Sequence, residues 1–288
     1  MGLRRRFASV LKAVLLLVWV VPFTSTAAIT DKPLFYQLTK EGQQGWLLGS
    51  IHVGRADFYP LPAVIDSALE RSQALALEAN PNDPQLAQWF SQYALAKQPL
   101  PAQLQQRLAD YCQQLQANCN LQLAPWLISS QLALLQMAQQ GYSVDYGIEA
   151  QLMARLDGKP LLELEGMLSQ LQMFDSLSSQ ANLQMLEASL APFVVADLIS
   201  AWRYGDQAAL QALFSDEFDS EELLQVLLYQ RNQAMAIKAA ELLAKQNRLF
   251  IAVGAAHLVG PHNMVELLRQ QGVTVTDCWQ QACGLIPQ

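Results

Sequence analysis

Three histidines occur in the 288-residue chain, and two of them stand three positions after a glycine at the end of an apolar segment. These two motifs read GSIH, which ends at His52, and GAAH, which ends at His257. Glycine lets a backbone turn tightly where a strand ends, and open α/β sheets bind ligands at the carboxyl ends of their strands. Two imidazoles at such an edge predict a transition-metal site. The alternative for each histidine is a hydrogen-bonded position in the core.

A carboxylate completes the predicted metal site. Glu78 ends the apolar segment at 74–78, where a lone carboxylate is costly to bury unless a cation or a donor faces it. If this strand lies beside the strand at 46–51, Glu78 and His52 share one edge of the sheet. Two histidines and one glutamate with an open position are typical of a catalytic divalent metal, for which Mn, Co and Zn are the candidates.

Three further side chains are candidates for catalysis. Glu165 follows the predicted strand at 161–164 and could act as general base or accept a hydrogen bond from a metal-binding histidine. Glu149 is a second candidate for proton transfer, and Arg231 could pair with a buried carboxylate or stabilise an oxyanion. The structural alternatives are a strand-end carboxylate for Glu165, an ordinary helix residue for Glu149 and a structural ion pair for Arg231. The third histidine, His262, is interpreted as a solvent-facing residue at a helix start.

The elements that must position these residues follow from hydrophobic periodicity. Apolar segments bounded by turn residues predict strands at 35–38, 46–51, 74–78, 161–164, 249–253 and 272–276. Helical spacing predicts helices at 62–72, 85–97, 101–118, 124–139, 146–157, 167–188, 191–203, 207–214, 220–246 and 261–271. We therefore predict an α/β fold, with α+β as the alternative, in which the N- and C-terminal segments form a mixed sheet. Each segment carries a strand, a Gly-x-x-His motif, a helix and a strand, and a large helical insertion at about 84–246 separates them.

The first 28 residues predict export. A basic start, an apolar run and small residues before a cleavage point form the pattern of a secretory signal peptide at 1–28. The remaining 29–288 is predicted to be a single domain, periplasmic or secreted, with no membrane span after signal cleavage. The formal charge of -7, which falls further when the basic signal is removed, argues against nucleic acid as a partner.

Four cysteines in an exported chain permit disulfides. Proximity in sequence favours the pairs Cys112–Cys119 and Cys278–Cys283, and the alternative is four reduced thiols. Neither spacing is Cys-x-x-Cys, which disfavours a zinc knuckle or a thioredoxin-type redox site.

The order and spacing of short motifs resemble the TraB/GumN family, which includes the Tiki metalloproteases. The matching segments are LLGSIHVG at 47–54, YPLP at 59–62, LALEAN at 75–80, GY at 141–142, GIE at 147–149, GKP at 158–160, LE at 164–165, QL at 170–171, WRYGD at 202–206, RNQAM at 231–235 and AVGAAHLVG at 252–260. The resemblance implies a divalent-metal peptidase whose metal residues are His52, Glu78 and His257. Glu149 stands where the family motif has aspartate, so its carboxylate reaches farther here.

Three hypotheses arise for the function. The first is an exported metal-dependent hydrolase, peptidase-like, acting on a peptide or small molecule. The second is a binding protein that holds a metal, a haem-like ligand or a peptide in the same crevice without turnover. The third is an interaction role for the glutamine-rich helices, which would not need either histidine motif.

Overall fold

Six short strands form one mixed sheet within residues 31–217 and 220–284, the part of the chain that this computed structural model describes. The strands are β1 (Phe35–Lys40), β2 (Gln43–Ser50), β3 (Ala74–Leu77), β4 (Leu161–Glu163), β5 (Leu249–Gly254) and β6 (Thr274–Asp277). Their order is β4-β3-β5-β2-β1-β6; β4, β3, β5 and β2 run parallel, and β1 is antiparallel to both β2 and β6. The parallel strands β3 and β5 are apolar on both faces because helices cover both sides. This architecture confirms the predicted α/β class with a mixed sheet.

The central strand of the sheet, β5, comes from near the C-terminal end of the chain. It lies between β2 and β3, so the strands at 46–51 and 74–78 are not neighbours and the condition under which Glu78 was placed beside His52 is not met. Helix α1 (Ala63–Arg71) connects β2 to β3 in the sequence. In the sheet, β5 lies between these two strands. Ser50 of β2 pairs with Gly254 of β5, and Ala76 of β3 pairs with Ile251 of β5. The carboxyl ends of these three parallel strands therefore lie close together at one edge of the sheet. Glu78 therefore lies beside the strand that leads to His257.

Most of the helices in the described part of the chain lie between β3 and β5 in the sequence. They are α2 (Leu86–Tyr93), α3 (Ala102–Gln114), α4 (Pro125–Gln139), α5 (Ile148–Met153), α6 (Met167–Ser176), α7 (Ser179–Ser189), α8 (Val195–Tyr204), α9 (Gln207–Glu217), α10 (Glu221–Leu224) and α11 (Gln230–Lys245), and α12 (Met264–Gln270) follows β5. Several have apolar clusters of their own, separate from the core around the sheet.

Two predicted helices are interrupted. The segment at 167–188 breaks at Leu177, where the backbone is extended, and restarts because the Ser178 hydroxyl accepts a hydrogen bond from the Ala181 N–H at 3.1 Å. The segment at 220–246 contains a π turn at Gln225–Tyr229, where the Gln230 N–H donates to the Gln225 carbonyl five residues back. Hydrophobic periodicity continues across both interruptions, so it could not reveal them.

Both predicted disulfides are confirmed. Cys112 is joined to Cys119, and Cys278 to Cys283. Disulfides of this kind are typical of an extracellular or periplasmic protein. The signal peptide predicted at 1–28 lies outside the described residues. Within the described ranges, no helix is both long and apolar enough to cross a bilayer.

Candidate functional site

The two Gly-x-x-His motifs lie side by side at the carboxyl edge of the sheet. They follow the adjacent parallel strands β2 and β5, whose last residues Ser50 and Gly254 pair with each other. A Cβ at Gly49 would lie 3.1 Å from Cδ1 of Leu258, the residue after His257, and 3.2 Å from Cβ of Leu34, so a larger residue would require both neighbours to shift. Glycine in the first motif therefore allows the two loops to pack closely.

Buried hydrogen bonds fix the ring of His257. Its Nδ1 lies 2.6 Å from Asn232 Oδ1, and its Nε2 faces Glu78 Oε1 at 3.6 Å, beyond hydrogen-bond length. Burial lowers the pKa of His257 to about 4, because removal from water penalises the charged imidazolium more than the Glu78 carboxylate favours it. At neutral pH this ring is uncharged, which is the form that binds a metal.

The carboxylate of Glu78 is buried next to His257 and is held by three donors. Oε1 accepts the Gly254 N–H at 2.7 Å, and Oε2 accepts from Arg231 at 2.5 Å and from Gln170 at 3.3 Å. Burial by itself would raise the pKa of Glu78, but positive charge at His257, Arg231 and His52 outweighs it and lowers the pKa to about 2. Because His257 carries charge only in acid, Arg231 and His52 are the counter-charges that act on Glu78 at neutral pH.

Arg231 joins Glu78 to Glu165. Its Nε lies 2.9 Å from Glu165 Oε1 and its Nη2 2.7 Å from Glu165 Oε2, while Nη1 donates to the Leu227 carbonyl at 3.3 Å. Gln170 also donates to Glu165, at 3.1 Å. These bridging donors bring Glu165 and Glu78 together. The side-chain atom that faces His257 Nδ1 is Asn232 Oδ1, whereas the carboxylate of Glu165 accepts from Arg231 and Gln170.

His52 belongs to a second cluster, with Glu149 and Ser50. Its Nδ1 lies 3.0 Å from Glu149 Oε1, which also accepts the Ser50 hydroxyl at 2.5 Å. The charge of Glu149 raises the pKa of His52 to about 9. The His52 side chain is 71% exposed, so solvent weakens this ion pair relative to a buried one. The other oxygen, Glu149 Oε2, is buried and has no hydrogen-bond partner in the structure.

The segment before α5 positions Glu149. Its Ser143 exchanges two backbone hydrogen bonds of 2.9 Å with Gly54, and the Ile148 N–H donates to the Ile51 carbonyl at 3.0 Å. A Cβ at Gly147 would lie 2.3 Å from the His52 carbonyl oxygen, so only glycine permits this approach. Glu149 is therefore held against the first motif. Burial would raise the pKa of Glu149, but His52 and the Ser50 hydroxyl together lower it.

The three predicted metal residues lie in two pairs at one edge: His257 with Glu78, and His52 with Glu149, which was predicted to transfer protons. The pairs interact electrostatically, since His52 influences the pKa of both Glu78 and His257. No group of three or more His, Cys, Asp or Glu side chains within the described ranges is already arranged to hold a metal ion. The donor types nonetheless fit a divalent metal: two imidazoles and two carboxylates, one of which, Glu149, has a buried oxygen without a hydrogen-bond partner among the described residues.

Sequence reasoning assigned no role to Asn232 or Gln170. The sequence pattern could have identified Asn232, because this residue lies on the same helix face as Met235, Ala236 and Ala239, which are all buried. A polar residue on such a face needs a partner. His262 is exposed, as interpreted from the sequence, and adopts a positive φ of 54° with its ring edge-on to Tyr229.

Comparison with known proteins identifies relatives over most of the chain. A protein-family model described as the TraB/PrgY/gumN family matches residues 34–277. A protein named "Uncharacterized protein YbaP" from Escherichia coli (strain K12) is 31% identical over 245 residues, which are 77% of this chain and 87% of that protein; the Shigella flexneri protein of the same name matches equally.

One further relative has a more specific name. "Metalloprotease TIKI2" from Danio rerio is 37% identical over 67 residues, which are 23% of this chain and 13% of that protein. No solved structure matches the chain.

Proposed function

The chain belongs to the TraB/PrgY/gumN family, and on that premise we propose that it is an exported, divalent-metal-dependent hydrolase of the peptidase type. The observation that carries the proposal is the pair of Gly-x-x-His loops at one sheet edge, each with its histidine facing a buried carboxylate. The local similarity to a metalloprotease supports the same chemistry. Export is supported by the two disulfides.

His52, Glu78 and His257 are the residues that would hold the metal. A bound divalent ion would polarise a scissile carbonyl and lower the pKa of a bound water molecule. Glu78 supplies negative charge next to the neutral His257 ring, and Arg231 keeps that carboxylate ionised and oriented. Since its donors bond to Glu78, Glu165 and a carbonyl, we assign Arg231 to positioning rather than to an oxyanion.

Glu149 is the better candidate for proton transfer. Both oxygens of Glu165 accept hydrogen bonds from Arg231, whereas Glu149 Oε2 has no hydrogen-bond partner within residues 31–217 and 220–284 and would be free to accept a proton from water or substrate. The substrate would be a peptide or a small molecule that enters beside the exposed His52 ring.

The test is peptide hydrolysis by the purified protein after chelation and after addition of Mn, Co or Zn. We expect activity to depend on added metal and to fall by at least about 1,000-fold in His52→Ala and His257→Ala, the order of loss seen when catalytic groups are removed. The matched control is His262→Asn, which removes the third histidine, keeps a residue that tolerates positive φ and should leave activity unchanged.

The outcomes separate the hypotheses. Metal binding at a one-to-one ratio that needs both histidines, without turnover of any peptide, would favour the binding-protein alternative. Hydrolysis that is equal in all three variants would contradict the proposed site.

A further inference from the structure

Asn232 is a fully buried polar residue on α11, with 1% of its surface exposed. Both ends of its amide have partners. Its Nδ2 donates to the His262 backbone carbonyl at 2.9 Å, and its Oδ1 lies 2.6 Å from His257 Nδ1. One side chain therefore connects the backbone after the second motif to the histidine of that motif.

These contacts fix the orientation of the amide. A backbone carbonyl only accepts hydrogen bonds, so the Asn232 atom facing the His262 oxygen must be the NH₂ group. The oxygen then faces His257, and since this oxygen also only accepts, the proton of the bond must belong to His257 Nδ1. A neutral imidazole has one N–H, so its Nε2 carries a free lone pair.

We propose that Asn232 is a positioning residue that holds His257 in the Nδ1–H tautomer and directs its Nε2 lone pair towards Glu78. The distance of 3.6 Å between Nε2 and Glu78 Oε1 agrees with this, because a protonated Nε2 would approach the carboxylate to form a hydrogen bond. Histidines that bind metals use the same arrangement, with one nitrogen donating to a fixed acceptor and the other free. The part of the inference that concerns metal binding rests on the proposed function.

Helix geometry directs the side chains of Asn232 and the preceding residue, Arg231, towards different partners. Successive residues of a helix point about 100° apart, and here Arg231 reaches Glu78 and Glu165 while Asn232 reaches His257. The π turn at Gln225–Tyr229 ends one residue before α11 begins and so lies just ahead of this pair. Such turns add a residue to a helix and rotate the side chains of the next turn about the helix axis, and they are frequent at functional sites.

The experiment is an NMR measurement of the imidazole nitrogens in the metal-free protein, by long-range ¹H–¹⁵N correlation. With three histidines in the chain, the variants His52→Gln and His262→Asn assign the His257 signals by elimination. We expect a protonated Nδ1 and an unprotonated Nε2 in the wild type. In Asn232→Leu, which lacks the acceptor, we expect the proton to move to Nε2, next to Glu78.

Two further variants distinguish positioning from packing. Asn232→Asp keeps an acceptor oxygen and should retain the Nδ1–H tautomer, whereas the exposed neighbour Gln233→Leu should change nothing. Affinity for added Mn or Zn should fall about 10–100-fold in Asn232→Leu and recover in Asn232→Asp.

A wild-type ring protonated at Nε2, or an unchanged tautomer in a folded Asn232→Leu protein, would overturn the inference. If Asn232→Leu does not fold, the wild-type and Asn232→Asp spectra decide. The expected tautomer in a wild-type protein that binds no metal would support the role of Asn232 and contradict the proposed function.

Discussion

Two carboxylates, Glu78 and Glu165, share the guanidinium of Arg231 in an environment that excludes most water. Removal of the counter-charge from a buried ion pair lowers the free energy of unfolding by more than the net contribution of the pair, because the remaining charge is left buried without a partner. The same reasoning makes surface ion pairs weak, since solvent compensates for the lost partner.

Replacement of Arg231 by methionine should therefore lower the free energy of unfolding by about 3–5 kcal/mol, measured by urea titration. The matched control is Arg107→Met, whose partner Glu187 is 3.6 Å away and whose ion pair is half exposed, at 51% and 53%. That variant should lose under about 1 kcal/mol. Similar losses in both would show that Arg231 does not hold a buried pair.

The depressed pKa of His257 predicts a loss of stability in mild acid. In the unfolded chain this residue takes up a proton near pH 6.5, but in the native protein only near pH 4. The unfolded state thus binds more protons between these values, and stability falls as pH decreases from about 6.5 to 4, by up to about 3 kcal/mol for metal-free protein. Urea titrations at several pH values should show this slope in wild type and in His262→Asn, and a shallower slope in His257→Gln. An equal slope in all three would contradict the assignment.

At the residue scale, glycine spacing identified His52 and His257, and burial of a charge in an apolar strand identified Glu78. The sequence suggested that Arg231 could pair with a buried carboxylate, but it could not show that this carboxylate is Glu78, since the two residues lie 153 positions apart. The place of Asn232 on the apolar face of α11 indicated that it needs a partner, but the sequence could not show that this partner is His257.

At the scale of secondary-structure elements, Ser178 is the N-cap residue of α7, so its substitution tests whether a capping hydrogen bond stabilises this helix start. Its hydroxyl caps α7 and donates to Glu222 Oε2 at 2.6 Å, while its N–H reaches Glu222 Oε1 at 2.6 Å. Substitution by alanine should cost about 1 kcal/mol in unfolding free energy, because the capping hydrogen bond is lost. Ser179→Ala, one position inside the helix, should change stability by less than about 0.5 kcal/mol. A larger effect at Ser179 would show that the cap is misplaced.

Strands were easier to predict than helix ends. Residues of β3 and β5 are apolar without alternation and are bounded by turn residues, which indicates buried parallel strands. The order of the strands depends on crossovers that leave no local pattern, so β5 could not be placed between β2 and β3 from sequence. The break at Leu177 depends on a cap that Ser178 shares with Glu222, 44 residues away.

For the whole molecule, a metal held between both motifs would stabilise the entire fold. At a metal concentration about 100 times Kd the gain is about 2.7 kcal/mol, and each kcal/mol raises Tm by roughly 2–4 °C in domains of about 150–250 residues. Calorimetry with added Mn or Zn should show a rise of several degrees in wild type and none in His52→Ala or His257→Ala. An equal rise in the variants would place the binding elsewhere.

The central position of β5 also determines when the molecule can fold. A nascent chain that has been synthesised only as far as β4 contains β2 and β3 but lacks β5, the strand that pairs with both. The backbone groups of β2 and β3 that bond to β5 then have no strand partner. The Gly254 N–H that completes the partners of Glu78 arrives 176 residues later. Because contacts between distant parts of a chain form slowly, we expect the complete sheet and the candidate site to form only after β5 has been synthesised, and a chain that ends before residue 249 to form neither.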